Sequence, residues 1–479
     1  MSPTLFLTCF FVYVLGTIVF GWWMTRRKQS GDDFLLGGRS LPFFLTLGTT
    51  IATMVGTGSS MGAVGKGYAG GWAGSLYGIG GALGILVAAW LFAPVRKHCF
   101  MTMAEELASY VGANRTVLNL VAVFTFMASV GWLGAHIVGG GAYLHYATGI
   151  NESWARASIA LGFGIYAMIG GYRAVVWTDT LQAVVLFIGF LLTAVAALEI
   201  VGGWDDLQAI NTELQSKQGN TSALPHLSLI IVIAVGVLGT PAFRQRIYSG
   251  KSVSDVRKAY VTSAGLYLAF AALPAVIGIA AYQNFPNLEN QDLAFPSLAT
   301  STLPAVLGIV VLLAGLSATL SSASSDAIAG VTTVVRDLYK ILFNKMPPPE
   351  RVVFISRVAL AATTGAALVM ALTANNVIDY IKMMVSLFLT GMCVVGLLGR
   401  VWPRYNAAGA IASLLGASAT ALLFQFQESW TEYWGNPVIP SLSISIGIGV
   451  LVSLVTRPDR ISNAQAIEIL SNERGQMEN

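Results

Sequence analysis

The sequence predicts an all-α integral membrane protein of about thirteen transmembrane helices, arranged as two inverted five-helix repeats with broken helices at the binding site. Three observations carry that expectation. Charged residues make up 10% of the 479 and apolar residues 55%, against roughly a quarter charged in a soluble chain, so a water-facing surface could not be furnished. Apolar stretches of about 20 residues, the length of a bilayer crossing, recur along nearly the whole chain. Two of them, five spans apart, are interrupted by Gly clusters or Pro.

The first stretch, 4–24, is followed rather than preceded by the basic cluster Arg26, Arg27 and Lys28, so it reads as a retained helix and not a removable signal peptide. The second, 42–68, contains Ala52-Thr53-Met54-Val55-Gly56-Thr57-Gly58-Ser59-Ser60, whose glycines loosen the helical ladder. Stretches at 72–95, 116–147, 156–172 and 177–201 complete the first half. The seventh, 227–247, holds Val237-Leu238-Gly239-Thr240-Pro241-Ala242-Phe243, where Pro241 removes a backbone donor. Stretches at 259–282, 303–335, 352–373, 377–399, 406–427 and 437–456 follow. Freed backbone groups are tolerable at membrane depth only beside protein, water or a solute. Breaks at related places in two halves suggest inverted repeats with a site between them near the midplane. Close packing of Gly-rich helices accounts for the same residues without any site.

Most basic residues, among them Arg39, Arg96, Lys97, Arg115, Arg173, Arg244, Arg246, Arg336, Lys340, Arg400, Arg457 and Arg460, fall on one side of a thirteen-span chain, with Lys217 an exception in the opposite loops. The positive-inside rule makes that side the cytoplasm. The opposite loops carry Glu152, Asp205, Asp206, Glu213, Glu289 and Asp292, which places the N-terminus outside and the C-terminus inside a cell (inner) membrane. Residues 1–460 read as a single membrane domain, with core repeats at about 42–201 and 227–399, and 461–479 as a cytoplasmic tail. No hydrophilic segment could bury a soluble core, which argues against a sensor kinase. The net charge of +4 reflects the loop asymmetry and implies no nucleic-acid partner. Cys9, Cys99, Cys393 and the four histidines show neither metal-ligand nor nucleophile–base spacing, so no enzyme is expected.

The run Leu320-Ser321-Ser322-Ala323-Ser324-Ser325-Asp326 places four hydroxyls and a carboxylate inside an apolar stretch. Positions i, i+3 and i+4 share a helix face, so the Ala318 carbonyl and the Ser321 and Ser322 hydroxyls can meet at one point. Carbonyls of Ala52 and Val55, released by the break, could complete a five-oxygen shell. Neutral oxygens suit a monovalent cation, and sodium fits best. Ser324 and Ser325, with Asp179, could hold a second cation. The same serines could equally bond back to their own helix or glue helices together. Asp326 is expected to pair with a basic residue near the inner face, such as Arg336.

Asp33-Phe34-Leu35-Leu36-Gly37-Gly38-Arg39-Ser40-Leu41, the run Gly170-Gly171-Tyr172-Arg173-Ala174-Val175-Val176-Trp177-Thr178-Asp179-Thr180-Leu181-Gln182, and Gln245-Arg246 with Ser249 and Lys251-Ser252 resemble motifs of the sodium:solute symporter family. The serine run followed by Arg336-Asp337-Leu338-Tyr339 completes a set spread over residues 30 to 400. The resemblance implies an inverted-repeat transporter fold and a main sodium site at Ala52, Val55, Ala318, Ser321 and Ser322. It also implies a second sodium site, found in some members, at Asp179, Ser321, Ser324 and Ser325. Local likeness is greatest to high-affinity choline transporters, although Met54 and Thr240 replace two of their cage positions.

Met54, Thr57, Ser59, Trp132, His136, Thr240 and Phe243 are expected to face the solute. Trp132 could instead only pack helices, and His136 could be a satisfied interior histidine. The function implied is sodium-coupled symport of a small polar organic solute by alternating access, with sodium as the coupling ion and the lipid bilayer as surroundings. A monomer is expected to suffice. A proton-coupled symporter of the same fold is the alternative, and a channel a more distant one.

Overall fold

A computed structural model of the protein describes residues 2–25, 30–218, 223–374, 377–459 and 461–478. Arg26, Arg27, Lys28 and Arg460, counted above toward the inner charge, lie outside the described residues. Among those described, regular structure is helical throughout, with one isolated bridge pairing Leu41 and Gly250. Among the described residues, ten helices are long and apolar enough to cross a bilayer, or eleven if one bent pair is counted as a single span. The expected thirteen is therefore not reached by length and composition. The shortfall falls where helices are broken: Phe43–Met54 is too short to cross alone, and the stretch 152–170 carries Glu152 and Arg156.

The helices used below are α1 (Pro3–Met24), α2 (Phe43–Met54), α3 (Ala63–Gly70), α4 (Leu76–Leu91), α5 (Arg115–Thr148), α6 (Glu152–Val201), α7 (Ala223–Gly239), α8 (Pro241–Ser249), α9 (Ala305–Thr333) and α10 (Asn463–Glu478). α2 stops where Val55 leaves helical geometry at φ −88°, ψ 65°. The chain resumes through a wide π-type turn at Gly58–Gly62 before α3. α7 and α8 meet at 45° across Thr240, with Pro241 as the first residue of α8, the position where a missing N–H costs least. α6 turns sharply at Gly171, whose φ of 60° and ψ of −162° suit glycine. A Cβ there would lie 2.7 Å from Phe34, so glycine is needed for space as well.

α9 packs along α5 and α6 at the centre of the molecule, and every residue from Ala314 to Thr333 is buried. That burial explains the serine run. Hydroxyls facing lipid would lack partners, whereas α9 meets the carbonyls of a broken neighbour. Arg244, Arg246 and Arg336, read from sequence as charge on the inner side, are buried. Each faces a carboxylate: Glu106 at 3.8 Å, Asp179 at 3.4 Å and Asp337 at 3.6 Å. The tail forms α10 and docks on the body, where Arg474 bonds Glu105 at 2.7 Å and Glu473 meets Lys340 at 2.6 Å and Arg115.

Candidate ion and solute site

The break after α2 brings its last carbonyls against the serines of α9. Ser321 Oγ lies 3.2 Å from the Ala52 carbonyl and 3.0 Å from that of Ala318. Ser322 Oγ lies 3.1 Å from Ala52 O and 3.3 Å from Thr53 O. Four of the five expected oxygens thus converge across two helices some 270 residues apart in sequence. Val55, fully buried, supplies the break itself. Thr53, whose carbonyl also reaches Ser322, was not among the expected ligands. Gly56 seals the contact: a Cβ there would stand 2.5 Å from Ser322 Oγ and 3.1 Å from His136 Cε1.

The second set is differently composed. Asp179 Oδ2 accepts from Thr49 Oγ1 at 2.6 Å and Ser325 Oγ at 2.9 Å. Arg246 reaches the same carboxylate oxygen at 3.4 Å, also bonds Ser325 Oγ, and donates to the carbonyls of Ala242 at 2.7 Å and Thr49 at 3.3 Å. A resident guanidinium therefore shares this cluster. Ser324 points elsewhere and bonds the Ser321 carbonyl of its own helix at 2.9 Å.

Between α2, α4, α5, α7 and α9 lies a small cavity of about 30 Å³, room for about two waters. Met54, Trp132, His136, Thr240 and Phe243 line it, as expected from sequence. Thr57 and Ser59 stand behind its wall: Thr57 Oγ1 meets His136 Nδ1 at 3.0 Å, and Ser59 bonds the Met54 and Gly56 carbonyls at 3.1 Å each. Trp132 Nε1 donates to Thr240 Oγ1 at 2.9 Å, and Thr240 donates to the Gly236 carbonyl at 2.6 Å. Both polar groups are thereby spent on holding the indole in place.

Asp326 overturns an expectation. Its carboxylate is joined by His136 Nε2 at 3.1 Å, not by Arg336, and it lines the cavity. The partner could not be read from spacing, since His136 stands 190 residues away on α5. Tyr77, Ile233 and Val385 also line the cavity and were missed.

Larger openings of about 830 Å³ and 270 Å³ lie at one end of the helices. Lys382 lines both, with Asp379 and Glu432 in the first and Lys66 and His226 in the second.

The profile of the sodium:solute symporter family matches residues 34–416. The sodium/proline symporter of Salmonella typhimurium is 27% identical over 94% of this chain and 93% of its own length. The sodium/pantothenate symporter of Haemophilus influenzae is 25% identical over 96% of this chain and 97% of its own. The high-affinity choline transporter 1 of Drosophila melanogaster is 27% identical over 76% of this chain and 62% of its own. Among solved structures, a Na+-coupled sialic acid symporter in a substrate-bound outward-open state superposes with a TM-score of 0.82. It is 19% identical and covers 94% of this chain and 97% of its own, a likeness of fold. The chain belongs to the sodium:solute symporter family, a multi-pass membrane transporter whose relatives are symporters and not enzymes.

Proposed function

We propose that the chain imports a small polar organic solute, driven by sodium and by alternating access, with Ala52, Val55, Ala318, Ser321 and Ser322 as the main sodium site. The observation that carries this reading is the meeting of α2 carbonyls and α9 hydroxyls at a helix break. Sodium there would tie the two halves of the fold together and order the cavity beside it. Coupling is reciprocal, so solute and ion each bind better with the other present.

Met54, Trp132, His136, Thr240 and Phe243 form the solute wall in this reading, drawn together here around about 30 Å³ and parting to admit the solute, with Thr57 and Ser59 supporting it. Asp179 and Ser325 make a second cation position at which Arg246 serves as the resident charge, and Ser324 flanks it. Thirteen crossings follow if Phe43–Gly70 counts as one broken crossing and Glu152–Val201 as two. Two inverted repeats at about 42–201 and 227–399, an outer N-terminus, a cytoplasmic tail and an inner-membrane monomer complete the arrangement. The relatives are named for proline, pantothenate and choline, solutes of different charge, so kinship leaves this chain's own solute open.

About 2.3 kcal/mol per charge per 100 mV and about 1.4 kcal/mol per tenfold gradient sum to roughly 3.7 kcal/mol per sodium. That supports a solute ratio of several hundred, on the order needed for scavenging. The test is the thermal shift that sodium induces in the purified protein, together with sodium-driven uptake into proteoliposomes. Replacing Ser321 and Ser322 together by Ala should abolish both while the fold persists. Retention of the sodium response in that double variant would displace the main site from these residues.

A further inference from the structure

We infer that the solute carries a positively charged nitrogen and that Asp326 is its counter-charge. The inference rests on the symporter reading above and names the chemical class it left open. The walls of the central cavity combine three aromatic rings, Tyr77, Trp132 and Phe243, with one carboxylate, Asp326, and one imidazole, His136. Neither Lys nor Arg is among its lining residues.

The hydrogen bonds of the pair accommodate an ionised Asp326 beside a neutral His136. An ionised Asp326 requires His136 Nε2 to donate, at 3.1 Å. Nδ1 then accepts from the Thr57 hydroxyl at 3.0 Å, and Thr57 in turn accepts from Thr319 at 3.1 Å. Every member of this chain is satisfied with His136 neutral and Asp326 ionised, an arrangement in which the pair carries one net negative charge. His136 engages Oδ2, which leaves Oδ1 without a protein donor among the described residues. A buried carboxylate with a single neutral donor is costly until a cation approaches it. Aromatic faces around the same space add the attraction that ammonium groups find in such sites.

Other charges nearby are already matched. Arg246 is taken by Asp179 and Ser325, and Arg244 lies against Phe92, facing Glu106. In the two larger openings Lys66 and Lys382 are accompanied by Asp379 and Glu432, so charges of both signs are present there. Asp326 lies one turn beyond Ser322 on α9, and could instead serve the sodium. The main site, however, already gathers neutral oxygens, and the Asp326 carboxylate opens to the solute cavity.

Matched probes isolate the nitrogen. Choline is compared with 3,3-dimethylbutan-1-ol, its neutral carbon isostere, and L-proline with cyclopentanecarboxylate, which lacks the ring nitrogen. Each is added to purified protein with and without sodium, and thermal shift is read. The expected result is a sodium-dependent shift from at least one nitrogen-bearing probe and none from its isostere. Asp326→Asn should weaken that probe at least about thirtyfold, the low end for removing one partner of a buried charge pair. Asp326→Glu should restore part of the affinity, and the shift caused by sodium alone should persist in both variants.

The inference is overturned if either isostere matches its cationic partner, if no cationic probe shifts a protein that responds to sodium, or if Asp326→Asn keeps the affinity. It is also overturned if Asp326→Asn abolishes the response to sodium alone, which would assign the carboxylate to the ion. Failure of the symporter reading is recognised separately, as a wild-type protein that does not respond to sodium at all.

Discussion

Ser322 and Ser325 stand less than one turn apart on the same buried helix, yet they serve two regions of opposite character. Ser321 and Ser322 face backbone carbonyls set free where α2 breaks, and every group gathered there is a neutral oxygen. Ser325 faces an ion pair, Asp179 and Arg246, and bonds to both partners. The first region offers a cation an oxygen cage and no competing charge. The second brings its own cation, tethered to the chain. Reversible binding is therefore expected where backbone supplies the ligands, and permanent cohesion where side chains of both signs do.

The largest expected effect breaks the second region. Asp179→Asn leaves Arg246 buried beside a neutral group and should cost about 3–5 kcal/mol of stability, the usual penalty for removing one member of a buried pair. Adding Arg246→Gln should recover part of that loss. Denaturation of the single and double variants in detergent measures the coupling. A single variant that keeps its stability but loses a sodium ion would make Asp179 an ion ligand and erase the contrast.

A smaller effect sharpens the first region. Gly56→Ala would push a methyl group to 2.5 Å from Ser322 Oγ, so the break and α9 must separate. A cost of about 1–3 kcal/mol is expected for such overpacking, with weaker sodium affinity and a retained fold. Sodium titration of the thermal shift checks it, and unchanged affinity would detach Gly56 from the cage. The smallest effect belongs to Ser324. Its hydroxyl bonds its own helix at Ser321 O, so Ser324→Ala should cost about 1 kcal/mol or less and leave the number of bound sodium ions unchanged. Counting ions by radiotracer binding decides that point.

The expectation that Ser321 and Ser322 converge with Ala318 came from spacing alone, because one helical turn determines which neighbours share a face. Placement of Trp132 and His136 on one wall had the same origin, and the rings indeed stack at 6.2 Å. Thr57 and Ser59 stand outside the cavity lining for a local reason: the break turns their hydroxyls toward His136 and toward freed carbonyls. Asp326 failed for a distant one. Its helix offered Arg336 ten residues on, while the actual partner came from α5.

Composition, hydropathy and the Gly and Pro interruptions thus determined that this chain lives in a bilayer, which stretches are apolar and where two of them break. Those are properties of a segment and its solvent, readable before any packing. Which charges neutralise one another was decided only by tertiary structure: Arg246 with Asp179, His136 with Asp326, Arg474 with Glu105. The physical reason is that desolvating a charge is costly in every fold, and sequence shows that the cost must be met without showing which distant group meets it.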